Sequence, residues 1–256
     1  MNFRNFSTLM YLGLADVLNF RPRWTKRLIN GLQSLMQAMA EDLSDVRTGI
    51  TIRSVTRIPG DKDPVRIEYT TGNAKTAQTL ACDFLILAIP QEMQNLGFMD
   101  LSGEEKSLFG EVVHNNYYTI ACEVKDFSEN YFLELLKNRK IHLPDDGFPF
   151  MISKVWEESD IAIFYSYSET PMPEKEIIRK LRENIKTTNR KLVKIIEVKK
   201  WDYFPHVSGE ALRNGFYDKL DRLQGRNNTF YTGGLLNFEL VENVMAYSKR
   251  LVERFF

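Results

Sequence analysis

A double glycine, Gly233-Gly234, follows the β-prone run Thr229-Phe-Tyr-Thr232 and precedes a helix-prone stretch that continues to the end of the chain. Backbone turned this tightly beside a helix start offers unpaired N–H groups to an anionic or electron-rich ligand, and glycine lets the ligand come close. The same pair also reads as a plain strand-to-helix turn that needs unusual backbone angles. A second chemical candidate is His206, in Trp201-Asp-Tyr-Phe-Pro-His206, because histidine is the residue type suited to proton transfer near neutral pH. A hydrogen-bonded loop histidine is the plainer reading. His114 and His142 have no Cys, His or carboxylate partners at metal-ligand spacing, so no metal site is expected. Cys82 and Cys122 each sit among apolar residues and read as buried, reduced thiols. The basic cluster around Arg179, Lys180 and Arg182 is interleaved with Glu176 and Glu183, the pattern of a solvated helix face.

The elements that must position these groups can be read from periodicity. Leu32, Leu35, Met36, Met39 and Leu43 follow helical spacing behind Gly31. Residues 50–58 and 65–69 alternate with period two across the turn Pro59-Gly60-Asp61, which predicts a hairpin or short meander. Asp83-Phe-Leu-Ile-Leu-Ala-Ile89 is a nearly continuous apolar run ended by Pro90, as expected of a strand buried on both faces of a parallel sheet. The carboxyl end of such a strand is where α/β folds place ligands. Strands are predicted over 117–124, 150–155, 161–167 and 192–198, and helices over 129–136 and 175–186. Another amphipathic helix is expected over 9–18, and Val241, Val244, Met245, Ser248, Leu251, Val252 and Phe255 form one stripe of the last helix.

Composition narrows the partners. The 256 residues are 43% hydrophobic, enough for a sizeable core. Lys plus Arg equals Asp plus Glu at 34 each, so no net field draws the chain to nucleic acid or an anionic membrane, and a small molecule is the expected partner. No signal peptide or transmembrane stretch is seen, and a cytoplasmic setting is expected. The oligomeric state is left open.

Taken in order, Gly31 with its apolar helix, Val55-Thr-Arg-Ile58, Asp83 to Pro90, Trp201 with Pro205, Tyr231-Thr-Gly-Gly234 and Val241-Glu-Asn-Val244 resemble the flavin-containing amine oxidase family. The resemblance implies FAD as cofactor. It places Val55 at the adenine site, Ala88 and Pro90 near the middle of the dinucleotide, and Gly233, Gly234 and Leu235 by the ribityl and pyrophosphate portion. Val241, Glu242, Asn243 and Val244 would set a helix start under the pyrimidine end of the flavin, where its positive pole favours the charge of a reduced ring. His206 would lie on a segment passing close to the flavin.

Departures from the family pattern shape the functional reading. None of the glycines forms even a G-x-G, so the usual G-x-G-x-x-G loop is missing and the chain reads as a carboxy-terminal, truncated part of a flavoprotein. The family's strand lysine is absent. Tyr118 and Thr119 stand there, and with His206 they are the only catalytic candidates. Leu240 replaces the cage aromatic before the V-E-G-A-like stretch, and Leu235 replaces an acidic residue. The fold class expected is α/β, a partial FAD/NAD(P)-binding Rossmann-like domain with an inserted α+β substrate domain. Its parts would be 1–30 (helical, substrate domain), 31–90 (FAD domain), 91–224 (substrate domain) and 225–256 (FAD domain). The expected function is FAD-dependent hydride abstraction from an organic, more apolar substrate. Two alternatives stand beside it, a non-catalytic scaffold remnant and a redox-neutral flavin isomerase. Without its phosphate loop the sheet would also leave apolar surface around 84–89 uncovered.

Overall fold

The first helix, α1 (Gly31–Glu41), starts at Gly31 with φ +75°, and its apolar stripe stays open, with Leu32 48% exposed and no described residue of the helix buried. It belongs to a computed structural model that describes residues 30–72, 76–126, 134–135, 146–154 and 158–256. The helix expected over 9–18, His142 and most of 129–136 lie outside these residues. The chain divides into two units, Met1–Val112 with Val207–Phe256, and Val113–His206.

In the first unit, β1 (Ile50–Arg57), β2 (Val65–Thr71) and β3 (Gln78–Cys82) form an antiparallel meander in the order β1-β2-β3. The first two strands match the alternation in the sequence. The third carries no such alternation and runs almost directly into the next apolar segment, which hid it from a periodicity reading. That segment contributes only β4 (Leu85–Leu87), so the predicted strand over 83–89 is shorter than expected. After it, α2 (Gly103–Phe109) begins with a complete capping box of Ser102 and Glu105. Near the end of the chain come α4 (Gly209–Arg213) and α5 (Phe216–Arg222), then β10 (Thr229–Tyr231), the four-residue helix α6 (Gly234–Asn237) and α7 (Val241–Phe255).

β4 and β10 run parallel, with Thr229, Phe230 and Tyr231 opposite Leu85, Ile86 and Leu87. Burial on both faces, expected of the 83–89 run, is not observed: Ile86 is 44% exposed and Phe84 48%, while Leu87 is buried. A parallel strand is covered when strands flank it and helices cover it, and among the described residues β4 has one neighbouring strand. The outer edge of β10 is closed at Tyr231 by a side chain. Gln224 Nε2 donates to the Tyr231 carbonyl at 2.8 Å and Gln224 Oε1 accepts from the Tyr231 amide at 2.8 Å, a substitute for a strand residue.

The second unit is an antiparallel five-stranded sheet in the order β6-β7-β8-β5-β9. Its strands are β5 (Val113–Lys125), β6 (Glu134–Leu135), β7 (Pro149–Ser153), β8 (Ile161–Ser168) and β9 (Lys191–His206). The helix predicted over 129–136 is corrected where it is described, because Glu134 and Leu135 pair with Ile152 and Met151. Cross-strand pairing there overrides a local helical pattern. β9 is more than twice as long as its alternation suggested and takes in Trp201. The helix α3 (Glu174–Lys186) buries Ile177, Leu181 and Ile185, four residues apart, against Tyr118, Ile120, Cys122, Val124 and Phe164. The opposite face of the sheet, with Tyr117, Thr119 and Ala121, stays half-buried.

Both thiols are free; Cys122 is buried as expected, whereas Cys82, at the end of β3, is only partly buried. Cys122 is fully buried, and burial pushes its thiol up to about 12. In the native chain Cys82 is therefore expected to react with a thiol reagent such as dithionitrobenzoate well before Cys122. Equal native-state rates, read as absorbance against time, would contradict this.

Candidate functional site

The carboxyl ends of β4 and β10 are bound together by a side chain, Gln91, that no local sequence pattern marks. Gln91 is completely buried; its Nε2 donates to the Leu87 carbonyl at 3.2 Å and to the Thr232 carbonyl at 2.9 Å. Thr232 N also donates to Leu87 O at 3.0 Å, so the two strand ends are held in register where the chain turns. The sequence signal was weak: a glutamine just after Pro90 looks like any loop residue, and only the parallel pairing gives it two carbonyls to join.

Beyond the clamp, Gly233 adopts φ +119° and ψ −171°, a conformation essentially reserved for glycine. Gly234 meets a different constraint, since an added Cβ would lie 2.7 Å from Cγ of Glu239. Gly233→Ala is expected to cost about 1–3 kcal/mol from backbone strain. Urea unfolding followed by circular dichroism checks this, and a change within experimental error would show that the turn relaxes freely. The chain then makes α6, passes Phe238 with φ +72°, and enters α7 after Leu240, whose side chain provides no cap. The 15-residue α7 thus begins with amide N–H groups that its N-cap side chain does not satisfy.

The residues named for the cofactor fall in this unit but not all in one place. Gly233, Gly234 and Leu235 lie at the end of β10, with Ala88 O 3.7 Å from where a Cβ on Gly233 would sit. Ala88 and Pro90 are exposed beside them, and Leu235 is buried. Val241, Glu242, Asn243 and Val244 form the first turn of α7, with Asn237 Nδ2 donating to Asn243 O at 2.7 Å. Val55 lies on β1, buried, its N–H donating to Phe98 O at 2.8 Å.

A buried ion network joins the meander to the strand pair. Arg57, at the end of β1, donates from Nη1 and Nη2 to the two Glu105 carboxylate oxygens at 2.6 and 2.9 Å, and from Nε to Asp100 at 2.6 Å. It also reaches Thr229 Oγ1 at 3.3 Å, and Tyr231 donates its hydroxyl proton to Glu105. Burial pushes the Glu105 carboxyl up, but hydrogen bonds from Arg57, Tyr231 and Ser102 outweigh it and hold the group at about 2. Every partner is polar and saturated, so the cluster orders the strand ends and offers no vacant chemistry.

In the second unit the three catalytic candidates separate. Tyr118 faces α3, buried, and its hydroxyl accepts from Met172 N at 2.7 Å and donates to Met172 O at 3.2 Å. Thr119 points to the opposite face and accepts from Trp201 Nε1 at 2.9 Å. His206 closes β9, with Nδ1 2.7 Å from Phe204 O and its ring stacked on Phe204. Phe204 itself has φ +60°. On the face of Thr119 lies a cavity of about 380 Å³ formed by Thr119 and Ala121 of β5, Ile163 and Tyr165 of β8, and Glu197, Lys199 and Trp201 of β9. Beside it Tyr117 gathers Phe150, Tyr165 and Tyr203 at centroid distances of 6.1, 6.1 and 4.7 Å. Among the described residues no group of acidic, His and Cys side chains can hold a metal, and no helix is long and apolar enough to cross a membrane.

No family model matches the chain. Beta-cyclopiazonate dehydrogenase of Aspergillus flavus is 24% identical over 96% of this chain and 55% of its own length. The FAD-dependent oxidoreductase dbaF of Emericella nidulans is 24% identical over 81% of this chain and 47% of its own. The FAD-dependent oxidoreductase oblC of Cochliobolus heterostrophus is 29% identical over 61% and 35% respectively. The chain thus spans about half the length, or less, of the curated relatives it matches. Among solved structures, a CLA-producing fatty acid isomerase from P. acnes superposes with a TM-score of 0.81 and 27% identity, over 96% of this chain and 57% of that one. A putrescine oxidase variant superposes with a TM-score of 0.58 and 11% identity over 89% and 54%, a likeness of fold alone. Sequence and fold agree with the resemblance read from the residues: the chain is similar to FAD-dependent oxidoreductases and has the mixed α/β fold, partly Rossmann-like, of flavin amine oxidase-like proteins.

Proposed function

We propose that the chain forms part of an FAD-dependent oxidoreductase that abstracts hydride from an organic, largely apolar substrate. Segments 31–90 and 225–256 serve the cofactor, and the sheet within 91–224 serves the substrate. The observation that carries this reading is the parallel pair β4–β10, whose clamped carboxyl ends meet the Gly233-Gly234 turn, in a chain with 27% identity and a TM-score of 0.81 to a fatty acid isomerase of which it covers 57%.

The residues present fit one portion of FAD. Gly233 and Gly234 allow close backbone approach, and the first turn of α7 supplies N–H groups and a positive pole for an electron-rich ring edge. The G-x-G-x-x-G cradle for the pyrophosphate is not among the 256 residues. When bound, FAD supplies the hydride acceptor. The chain's own contributions are to hold the ring's partner strand ends in register through Gln91 and to present an aromatic face that excludes water from an apolar substrate. His206, its Nδ1 occupied by Phe204 O, is the residue type here suited to moving a proton.

Expression of the complete reading frame, including any strand–G-x-G-x-x-G–helix encoded with it, tests the reading through the flavin absorption bands. A protein that purifies colourless and takes up no added FAD would sink it. The likeness to a fatty acid isomerase supports a second reading, redox-neutral isomerisation on the same scaffold. Turnover without consumption of dioxygen or another electron acceptor would select that alternative.

A further inference from the structure

The sheet of the second unit carries two opposite charges on its open face, and they are not joined to each other. Glu197 and Lys199 are two residues apart on β9 and so point to the same side, and both line the cavity with Trp201. Among the described residues neither has an ion-pair partner; Lys199 Nζ lies 5.7 Å from the centroid of the Trp201 ring. The indole is fixed, because its Nε1 donates to Thr119 Oγ1 at 2.9 Å. Thr119 accepts that bond, so its own hydroxyl proton is left for another acceptor. Tyr165 and Ile163 make the neighbouring wall. The cavity therefore combines a fixed aromatic plane with donors (Lys199, Thr119) and an acceptor (Glu197) that follow it along the β5–β9 wall.

From this arrangement we infer that the cavity binds a flat, unsaturated molecule whose polar end carries a hydrogen-bond donor beside an acceptor oxygen, as in a secondary amide or lactam. The flat body stacks on Trp201 and Tyr165. The N–H donates to Glu197, and the carbonyl accepts from Lys199 or Thr119. A simple carboxylate suits the site less well, because it engages Lys199 but faces the Glu197 charge. A neutral lactam satisfies both side chains without adding net charge. As a statement of substrate class this rests on the flavoenzyme reading, but the site belongs to the second unit alone and needs no flavin to bind its ligand.

Equilibrium dialysis of the 256-residue chain, with no flavin added, tests the site with three probes of similar shape: 2-quinolone, a bicyclic lactam; quinoline, which lacks the donor; and quinoline-2-carboxylate. The lactam is expected to bind at least fivefold more tightly than either of the others. Glu197→Gln should weaken the lactam severalfold and strengthen the carboxylate, Lys199→Met should weaken both, and Trp201→Phe should weaken all three probes. These positions are exposed, and unchanged circular dichroism melts confirm that the variants remain folded. Quinoline binding within twofold of 2-quinolone, charge variants without effect, or no binding of any probe would overturn the inference. Flavin uptake by the complete protein is read separately, so a colourless complete protein with intact lactam binding defeats only the flavin reading, and the reverse result defeats only this one.

Discussion

Arg57→Met is expected to destabilise the unit of Met1–Val112 and Val207–Phe256 by about 3–5 kcal/mol, the usual cost of removing one partner from a buried ion pair. The side chains of Arg57 and Glu105 are 1% and 2% exposed, so neither can recover its solvation when the other is lost. The substitution would leave the Glu105 carboxylate facing only Tyr231 and Ser102, and would strip Asp100 of its guanidinium. Because Arg57 also reaches Thr229, the damage should extend from the meander to the strand pair. Urea unfolding of the variant reads the loss. A double variant, Arg57→Met with Glu105→Leu, should recover part of it, since two apolar groups need no partner. A single-variant loss below about 1 kcal/mol would mean that the network relaxes into water and does not hold the unit together.

Acidification should reproduce part of that loss without any substitution. Glu105 has an ordinary value of 4.5 and is held at about 2 in the folded chain, so the folded state binds its proton less readily than the unfolded state. The stabilisation is fully present above pH 4.5 and drains away as pH falls toward about 2. The difference corresponds to roughly 3 kcal/mol. Glu105→Gln should be less stable at neutral pH and should show a flatter profile through this window, because its side chain has no proton to gain. Parallel profiles for the two proteins between pH 5 and pH 2 would assign acid sensitivity to other carboxylates.

What the sequence made legible was decided by periodicity. The alternation of 50–58 and 65–69 marks two strands and the pattern of 175–186 a helix, and the structure has the elements there, with Ile177, Leu181 and Ile185 buried. Of the apolar positions in 50–58, however, only Val55 is buried, while Ile50, Ile52 and Ile58 stay exposed. The Ser102-x-x-Glu105 box starts a helix that was not among the predicted elements, and nothing in the local sequence says that its glutamate also receives Arg57 and Tyr231. Those partners come from positions 48 and 126 residues away, and only the folded topology brings them together. Gln91 and Gln224 were illegible for the same reason, since each completes backbone pairing that a parallel strand pair creates. The 83–89 run announced a buried parallel strand; its position held, but its length and two-sided burial did not. The aromatic cavity shows the converse case. Thr119 and Trp201 were singled out from different segments, and the cross-strand register places them in one hydrogen bond, while Tyr118, adjacent to Thr119, turns into the core.

We propose that the ends of β4 and β10, with Gly233-Gly234 and α7, form one side of an FAD site, and the G-x-G-x-x-G cradle for its pyrophosphate is not among the 256 residues. The most direct measurement is FAD titration of the 256-residue chain, alone and fused at its amino terminus to a strand–G-x-G-x-x-G–helix segment. Weak or no binding is expected of the chain alone. The fusion is expected to be yellow, with affinity at least about a hundredfold higher, a gain of roughly 2.7 kcal/mol or more. A chain that alone binds FAD as tightly as the fusion, or a folded fusion that stays colourless, would contradict the proposal.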